Sequence, residues 1–193
     1  DSELLDKLLL NTYPKQQTYD YIMDHEIPNK TIPNKKGSRY FAYGDSGKDS
    51  YLTIGIGHLV DSRKAGSVER TARMLRRINP TLDVNKIVAG QQGLTHSEAI
   101  QLYRMDVDEK TRVAHKHFPK LHTYPDYMQV AIIDGYFWGM LPKSRKTRIY
   151  IKAGKLEKAR EEWLDNTTYR RGESKHRFGN FNKALDRWIE EED

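Results

Sequence analysis

Cysteine is absent from this sequence, which excludes disulfide bonds and catalysis by a thiol group. The absence leaves the compartment open, because a protein without cysteine suits any redox environment. No apolar run reaches the ~18 residues that a membrane-spanning helix needs. The leucine-rich segment 3–10 also contains an aspartate and a lysine, which distinguishes it from a signal peptide or a membrane anchor. The first residue is Asp rather than Met, so we expect a processed product or a piece of a longer protein.

Positive charge exceeds negative charge in this chain. The 193 residues include 33 Lys and Arg against 27 Asp and Glu, a formal net charge of +6. Such a balance favours an anionic partner, which could be nucleic acid, lipid headgroups or a bacterial wall polymer, and charge alone does not choose among them. The length suits one domain or two small lobes with a core.

Residue periodicity predicts a largely helical chain with one small β-hairpin. Residues 28–38 predict a loop, and strands at 40–43 and 51–56 flank a turn at 44–50, after which Gly57 and His58 are expected to leave the sheet. Helices are predicted at 17–26, from Ser67 as a cap to Ile78, from the capping box of Thr95 and Glu98, from Met128 through an apolar core segment, at 155–165 and at 181–191. We expect a single domain over 1–193, with a small lobe at 17–65, a connecting helix and loop at 66–93 and a helical lobe at 94–193.

The glycine-rich residues 53–58 invite a comparison with nucleotide-binding loops. A dinucleotide fingerprint requires a third glycine that does not follow Gly55 and Gly57. A phosphate loop requires Ser or Thr after Gly-Lys, but Asp49 follows Lys48. Nucleotide binding is therefore not predicted.

Two carboxylates are candidates for acid and base chemistry. Glu26 falls on the apolar face of its predicted helix, where burial disfavours the charged form of a carboxylic acid. Asp45 falls in a polar turn, where a carboxylate stays ionised. Carboxyl groups in two such different environments suit glycoside hydrolysis. Each also has a plain structural explanation, Glu26 as a surface charge at a helix end and Asp45 as a turn former.

These residues stand in an order that resembles the phage-type lysozymes, glycoside hydrolase family 24. The matching motifs are the helix-borne Glu26, Tyr43-x-Asp45, Thr53-Ile-Gly-Ile-Gly-His-Leu59, the capping box at 94–99, Asp106-Val-Asp108 and Ala131-Ile-Ile-Asp-Gly-Tyr-Phe-Trp138. The resemblance covers roughly residues 17–188. It implies an α+β, lysozyme-like fold with a small β-hairpin lobe, a larger all-helical lobe and a cleft between them. It also implies hydrolysis, with inversion, of the β-1,4 bond between N-acetylmuramic acid and N-acetylglucosamine in bacterial peptidoglycan.

The resemblance assigns roles by position. Glu26 would be the general acid, and Asp45 and Thr53 would hold the attacking water. Substrate-binding residues implied in the same way are Gly57, Leu59, Phe137, Trp138, Thr168 and Tyr169. No metal or cofactor is implied, and the expected partner is bacterial peptidoglycan rather than nucleic acid or a membrane, with other phage tail or virion proteins as further partners. The expected setting is a phage-encoded enzyme that acts on the host wall in the periplasm, released at lysis or carried in the virion.

The sequence also departs from the family pattern. The separation of Glu26 from Asp45 is longer than usual, the separation of Asp45 from Thr53 is also longer, and Asp49 therefore competes for the role of the base. Ile27 stands where the family usually has glycine. Three alternatives stay open: a wall-binding module without catalysis, a basic nucleic-acid binder and a lytic transglycosylase.

Three histidines receive predictions without a catalytic role. We expect His58 to be structural, with its ring bonded to a carboxylate. His115 and His117 could bind a metal, but their lysine-rich surroundings favour an exposed, solvated helix face.

Overall fold

Helices account for most of the fold, which belongs to the α+β class as predicted. The computed structural model describes residues 2–44, 51–62 and 64–193. Its helices are α1 (Ser2–Thr12), α2 (Lys15–Glu26), α3 (Ser67–Ile78), α4 (Val84–Val88), α5 (His96–His117), α6 (Asp126–Phe137), α7 (Arg145–Lys152), α8 (Leu156–Leu164), α9 (Thr167–Arg170) and α10 (Lys175–Glu192). In this part of the chain, no helix combines the length and the apolar character needed to cross a membrane.

Within the described residues, five short strands form two antiparallel sheets. They are β1 (Lys35–Lys36), β2 (Arg39–Tyr40), β3 (Tyr43–Gly44), β4 (Leu52–Ile54) and β5 (His58–Asp61). Strands β1 and β2 form a hairpin of their own, and the second sheet has the order β3-β4-β5. Thr53 lies in the central strand, opposite Tyr43 on one side and Leu59 on the other.

The strand predictions were right about the pairing of β3 with β4 and wrong in three details. The predicted loop at 28–38 contains strand β1, the predicted strand at 40–43 is divided between β2 and β3, and His58 begins β5 instead of leaving the sheet. Burial explains the missed strand, because His58 and Val60 are buried while Leu59 is exposed. A polar residue in an inward position concealed the alternation that marks a strand.

The chain divides into two compact units. The sheet unit comprises Met23–Asp106, and the helical unit comprises residues 1–22 and 107–193. In the sheet unit, the buried core consists mainly of aliphatic side chains, among them Ile54, Ile56, Val60, Leu75, Leu94 and Leu102. In the helical unit, every residue from Met128 to Tyr136 of α6 is buried, which confirms the predicted core helix.

Two sequence predictions concern the N-terminal ends of helices. The predicted capping box is confirmed, since the Glu98 N–H donates to the Thr95 hydroxyl (3.1 Å) and the Thr95 N–H donates to the Glu98 carboxylate (2.9 Å). The prediction of Ser67 as a cap was wrong, because the cap position is Gly66 in a left-handed conformation. The Ser67 hydroxyl instead accepts from the Ser62 N–H (3.2 Å) and so closes the loop before α3.

Candidate active site

Glu26 is the last residue of α2 and is half-buried. The helix ends there because a proline follows two residues later and disfavours the helical conformation of the residue before it. The Ile27 N–H still donates to the Met23 carbonyl (2.8 Å), and the Ile27 side chain is buried. The position of the glutamate is therefore fixed by a buried neighbour on its C-terminal side.

The Glu26 carboxyl group lies against the turn that joins β4 to β5. A Cβ atom added to Gly57 would lie 2.9 Å from Oε1 of Glu26 and 3.0 Å from its Cδ. Gly57 also has a φ of +72°, a conformation that glycine adopts without strain. The backbone conformation thus favours glycine at this position, and a larger residue would displace the carboxyl group beside it.

The same turn is tied to neighbouring elements of the sheet unit. The Tyr43 hydroxyl donates to the Gly55 carbonyl (3.3 Å), and a Cβ at Gly55 would lie 3.6 Å from the Cβ of Ala99 in α5. These contacts hold the β4–β5 turn between strand β3 and helix α5. The carboxyl group of Glu26 consequently faces a turn that contacts the sheet unit on both sides.

The candidates for the water-binding pair are only partly described by the structure. Thr53 is half-buried in the central strand, next to an irregularity of register between Leu52 and Thr53. Asp45 follows β3 directly in the sequence, but both Asp45 and its competitor Asp49 lie outside the described residues. The choice between the two aspartates therefore stays a prediction.

His58 has the structural environment that the sequence predicted. Its ring is 3% exposed, with Nδ1 2.7 Å from Oδ2 of Asp106 and Nε2 2.9 Å from the hydroxyl oxygen of Thr71. Asp106 belongs to α5 and Thr71 to α3, so the imidazole joins β5 to two helices. Because both ring nitrogens are paired and the ring is buried, His58 ties the strand that follows Gly57 to helices α3 and α5.

A cavity opens beside Glu26 within the sheet unit. It has a volume of about 470 Å³ and is lined by Glu26, Ile27, Pro28, Asn29, Thr31 and Pro33. This volume falls in the range of ligand pockets, which is about 300–1,000 Å³. A second concavity of about 490 Å³ lies at the ends of α8 and α10 and contains none of the predicted site residues. Of these two concavities, the cavity at Glu26 is the one that contains a predicted catalytic residue.

Two predicted substrate-binding residues of the helical unit, Trp138 and Tyr169, contact the same aromatic side chain. The ring of Phe178 lies 5.1 Å from Trp138 and 5.5 Å from Tyr169, measured between ring centres. Asn166 caps the start of α9, because its side-chain oxygen accepts a hydrogen bond from the N–H of Thr168, the residue before Tyr169 (2.8 Å). The structure thus brings the rings of Trp138 and Tyr169 to Phe178, and Thr168 precedes Tyr169 in the chain.

Phe137 and Leu59 complete the set of predicted substrate-binding residues. Phe137 is the half-buried last residue of α6. Leu59, in the sheet unit, is 39% exposed and lies opposite Thr53. A leucine that is exposed on a short strand beside a candidate catalytic residue is available to contact a ligand.

Asp134 and Arg177 form a buried ion pair that the sequence analysis did not assign. Nε of Arg177 lies 3.0 Å and 3.1 Å from the two carboxylate oxygens of Asp134, which is 2% exposed. Burial raises the pKa of Asp134, and the Arg177 guanidinium acts in the opposite direction. The guanidinium also lies over the Trp138 ring at 5.2 Å. The position of Asp134 inside the otherwise apolar run 130–137 was the signal that could have predicted a buried partner.

The prediction that His115 and His117 are exposed was wrong. His115 is 6% exposed, and neither ring nitrogen has a hydrogen-bond partner in the part of the chain that the structure describes. Nδ1 of His117 lies 2.7 Å from the Tyr136 hydroxyl. The two side chains therefore pack into the helical unit, and no group of three or more potential metal ligands occurs among residues 2–44, 51–62 and 64–193.

Comparison with known proteins gives no match that bears on these features. No protein-family model matches the chain, and no curated protein matches it at a significant level. The functional inference therefore depends on the carboxyl group at Gly57, on the cavity beside it and on the order of the sequence motifs.

Proposed function

We propose that this protein is a peptidoglycan hydrolase of the phage-type lysozyme class. It would cleave the β-1,4 bond between N-acetylmuramic acid and N-acetylglucosamine. The observation that carries the proposal is the position of the Glu26 carboxyl group, which lies against Gly57 and beside a cavity of about 470 Å³. The motif order from Glu26 to Trp138 adds independent support, because it resembles one family of glycoside hydrolases.

Glu26 acts as the general acid in the proposed reaction. Its proton passes to the glycosidic oxygen, the bond from that oxygen to the anomeric carbon breaks, and the bonding electrons leave with the oxygen. The sugar acquires oxocarbenium character, and a water attacks the anomeric carbon from the opposite face. The attacking water gives its proton to a second carboxylate, which we assign to Asp45. Attack from the opposite face inverts the configuration of the anomeric carbon.

Thr53 positions the attacking water in this scheme. A hydroxyl group both accepts and donates a hydrogen bond, so it can orient a water toward the sugar while a carboxylate takes the proton. Two features of the sheet support the assignment. Thr53 is only half-buried, and the exposed Leu59 is its neighbour in β5.

The aromatic cluster of the helical unit supports a role in carbohydrate binding. Trp138 and Tyr169 are both half-buried, so each ring keeps part of its surface accessible. The Arg177 guanidinium covers the Trp138 ring at 5.2 Å and is itself held by Asp134. A ring whose orientation is fixed in this way can offer an apolar surface to the C–H face of a sugar.

The net charge supports a polyanionic target. At +6 the chain is attracted to the bacterial wall, whose peptide substituents carry carboxylates. We place the activity in a phage-encoded enzyme that acts on the host wall, either released at lysis or carried in the virion.

The experiment compares the wild-type protein with Glu26→Gln on purified peptidoglycan. The amide preserves the shape of the side chain but has no acidic proton. We expect release of reducing ends to fall by about 10²–10⁴-fold, which is the usual contribution of acid catalysis. Melting temperature and wall binding should stay unchanged.

Product analysis separates the alternatives. Mass spectrometry should find hydrolysed N-acetylmuramic acid ends, whereas a 1,6-anhydro product would identify a lytic transglycosylase. Binding of walls without any cleavage would identify a wall-binding module. If Glu26→Gln keeps more than a few per cent of the wild-type rate, Glu26 is not the acid.

A further inference from the structure

A basic segment follows Glu26 directly in the sheet unit. Residues 28–40, named the basic arm below, contain four cationic side chains and no acidic residue. The four are Lys30, Lys35, Lys36 and Arg39, and all are exposed. The arm therefore concentrates positive charge immediately next to the candidate acid.

The basic arm is anchored at several points. Nδ2 of Asn34 donates to the Ala42 carbonyl (2.8 Å), and Tyr40 exchanges two backbone hydrogen bonds with Leu94 (2.7 Å and 2.8 Å). Ile32 is buried in the middle of the segment. With these attachments the lysines of the β1–β2 hairpin project from a defined scaffold, which reduces the entropy lost on binding a ligand.

Two of the charges of the hairpin, those of Lys35 and Lys36, have no ion-pair partner among the residues that the structure describes. Lys36 lies directly opposite Arg39, an arrangement of like charges that destabilises an antiparallel pair. Arg39 is compensated by Glu98, with Nη1 3.6 Å from Oε1. Lys35 and Lys36 contact only the faces of aromatic rings, at 5.9 Å and 5.3 Å, and neither forms an ion pair with any residue that the structure describes. An external anion would supply the missing countercharge.

The basic arm also forms part of the cavity at Glu26. Pro28, Asn29, Thr31 and Pro33 belong to the arm and line that cavity. A polymer that places one sugar unit next to Glu26 therefore meets the arm with its adjoining substituents. In stem-bearing glycan the sugars are uncharged, because the lactyl carboxyl of N-acetylmuramic acid is joined to the stem as an amide, whereas the peptide stems end in carboxylates.

We propose that the basic arm binds the carboxylates of peptide stems through Lys35 and Lys36, and so selects stem-bearing glycan as the substrate. The inference rests on the proposed hydrolase function, since it extends the substrate contacts of that site. Exposed charge pairs act mainly on association and are screened by salt.

The test uses charge reversal with a matched control. The double variant Lys35→Glu/Lys36→Glu is compared with Lys64→Glu/Lys86→Glu, which reverses two exposed lysines of the same unit outside the arm. Initial rates are measured on stem-bearing peptidoglycan and on a stem-free reference, which is the same glycan after enzymatic removal of the stems and conversion of the freed lactyl carboxyls to amides. The arm variant should lose roughly 3- to 30-fold in kcat/KM on stem-bearing glycan, as expected for the loss of two exposed charge pairs.

Three further results are expected if the basic arm contacts the stems. The rate on stem-free glycan should change less than about twofold, the loss on stem-bearing glycan should diminish at high salt, and Lys35→Arg/Lys36→Arg should restore the wild-type rate. Equal losses on both substrates, an equal loss in the Lys64/Lys86 control, or no loss at all would each overturn the inference. The inference would also be overturned if the arm variant lost binding to DNA or to anionic lipid vesicles but kept its wild-type binding to stem-bearing glycan.

Binding measurements keep this inference distinct from the proposed function. Cosedimentation of Glu26→Gln with stem-bearing and stem-free walls measures the contribution of the arm without hydrolysis. If the wild-type protein cleaves neither glycan, the hydrolase proposal fails, and stem-dependent binding that requires Lys35 and Lys36 still supports the arm. If the wild-type protein cleaves both glycans equally well and the arm variant does the same, the hydrolase stands and the arm proposal falls.

Discussion

The replacement Gly57→Ala tests the contact on which the candidate site depends. The new methyl carbon would lie 2.9 Å from Oε1, 3.0 Å from Cδ and 3.2 Å from Oε2 of Glu26, whereas ordinary contacts begin at 3.4 Å. The carboxyl group is the far end of a flexible side chain, so it can move away at little cost in stability. It must nevertheless leave its position by about half an ångström or more.

Two separate effects of Gly57→Ala can be given magnitudes. The φ of +72° is unfavourable for alanine and should lower the free energy of unfolding by about 1–2 kcal/mol. That loss corresponds to a fall of roughly 2–8 °C in Tm for a chain of this size. Displacement of the acid should reduce kcat by about 10- to 100-fold, because a misplacement of about 1 Å commonly costs 10²-fold.

Gly90→Ala is the matched control for this experiment. Gly90 has the same φ of +72°, lies in the same unit and has no atom within 4 Å of the added carbon. It should therefore reproduce the loss of stability without any change in kcat. The assay combines thermal melting with the release of reducing ends from purified peptidoglycan, measured well below both melting temperatures.

Either of two results would refute this reasoning. A wild-type kcat for Gly57→Ala would show that the Glu26 carboxyl group does not react from the position beside Gly57. An equal fall in kcat for Gly90→Ala would show that the loss of activity follows from strain elsewhere in the sheet unit and not from the carboxylate.

Two further predictions concern the base and the pH dependence of stability. Asp45→Asn should impair hydrolysis severely and Asp49→Asn only mildly, because Asp45 directly follows strand β3 in the sequence. Initial rates on purified peptidoglycan, with melting curves to exclude unfolding, check this prediction. The reverse result would reassign the base to Asp49. Burial lowers the pKa of His115, and the charge of His122 acts in the same direction. At a pH below about 6.5 the unfolded chain therefore binds a proton at His115 more readily than the folded chain does, and the free energy of unfolding should fall as the pH drops. Urea unfolding at pH 7 and pH 5 should show a smaller loss for His115→Leu than for the wild-type protein, and equal losses would contradict the assignment.

Local patterns in the sequence determined most of the helical structure. Helices α2, α3 and α6 occur where periodicity and the following prolines or apolar runs predict them, and the Thr95–Glu98 capping box forms as expected. These features depend on residues within one or two turns of each other, which a single sequence displays directly. The same locality made Glu26 recognisable as a carboxylate at a helix end.

Tertiary structure decided the features that join distant segments. The contact of Glu26 with Gly57, the pairing of His58 with Asp106 and the pairing of Asp134 with Arg177 each connect residues that are far apart in the chain. The sequence predicted that His58 would bond a carboxylate but did not identify which one.

Strand β5 and the β1–β2 hairpin show the same limit for secondary structure. Each of these strands is only two to four residues long, and each depends on hydrogen-bond partners from another segment. Strand β4 supplies the partners of β5, and Leu94 pairs with Tyr40 of β2. A helix satisfies its backbone hydrogen bonds within its own sequence, whereas a strand satisfies them with another part of the chain. Local sequence could therefore predict helices α2, α3, α5, α6, α8 and α10, although it missed α1, α4, α7 and α9. The short strands and the environment of the candidate acid were decided by the folded chain.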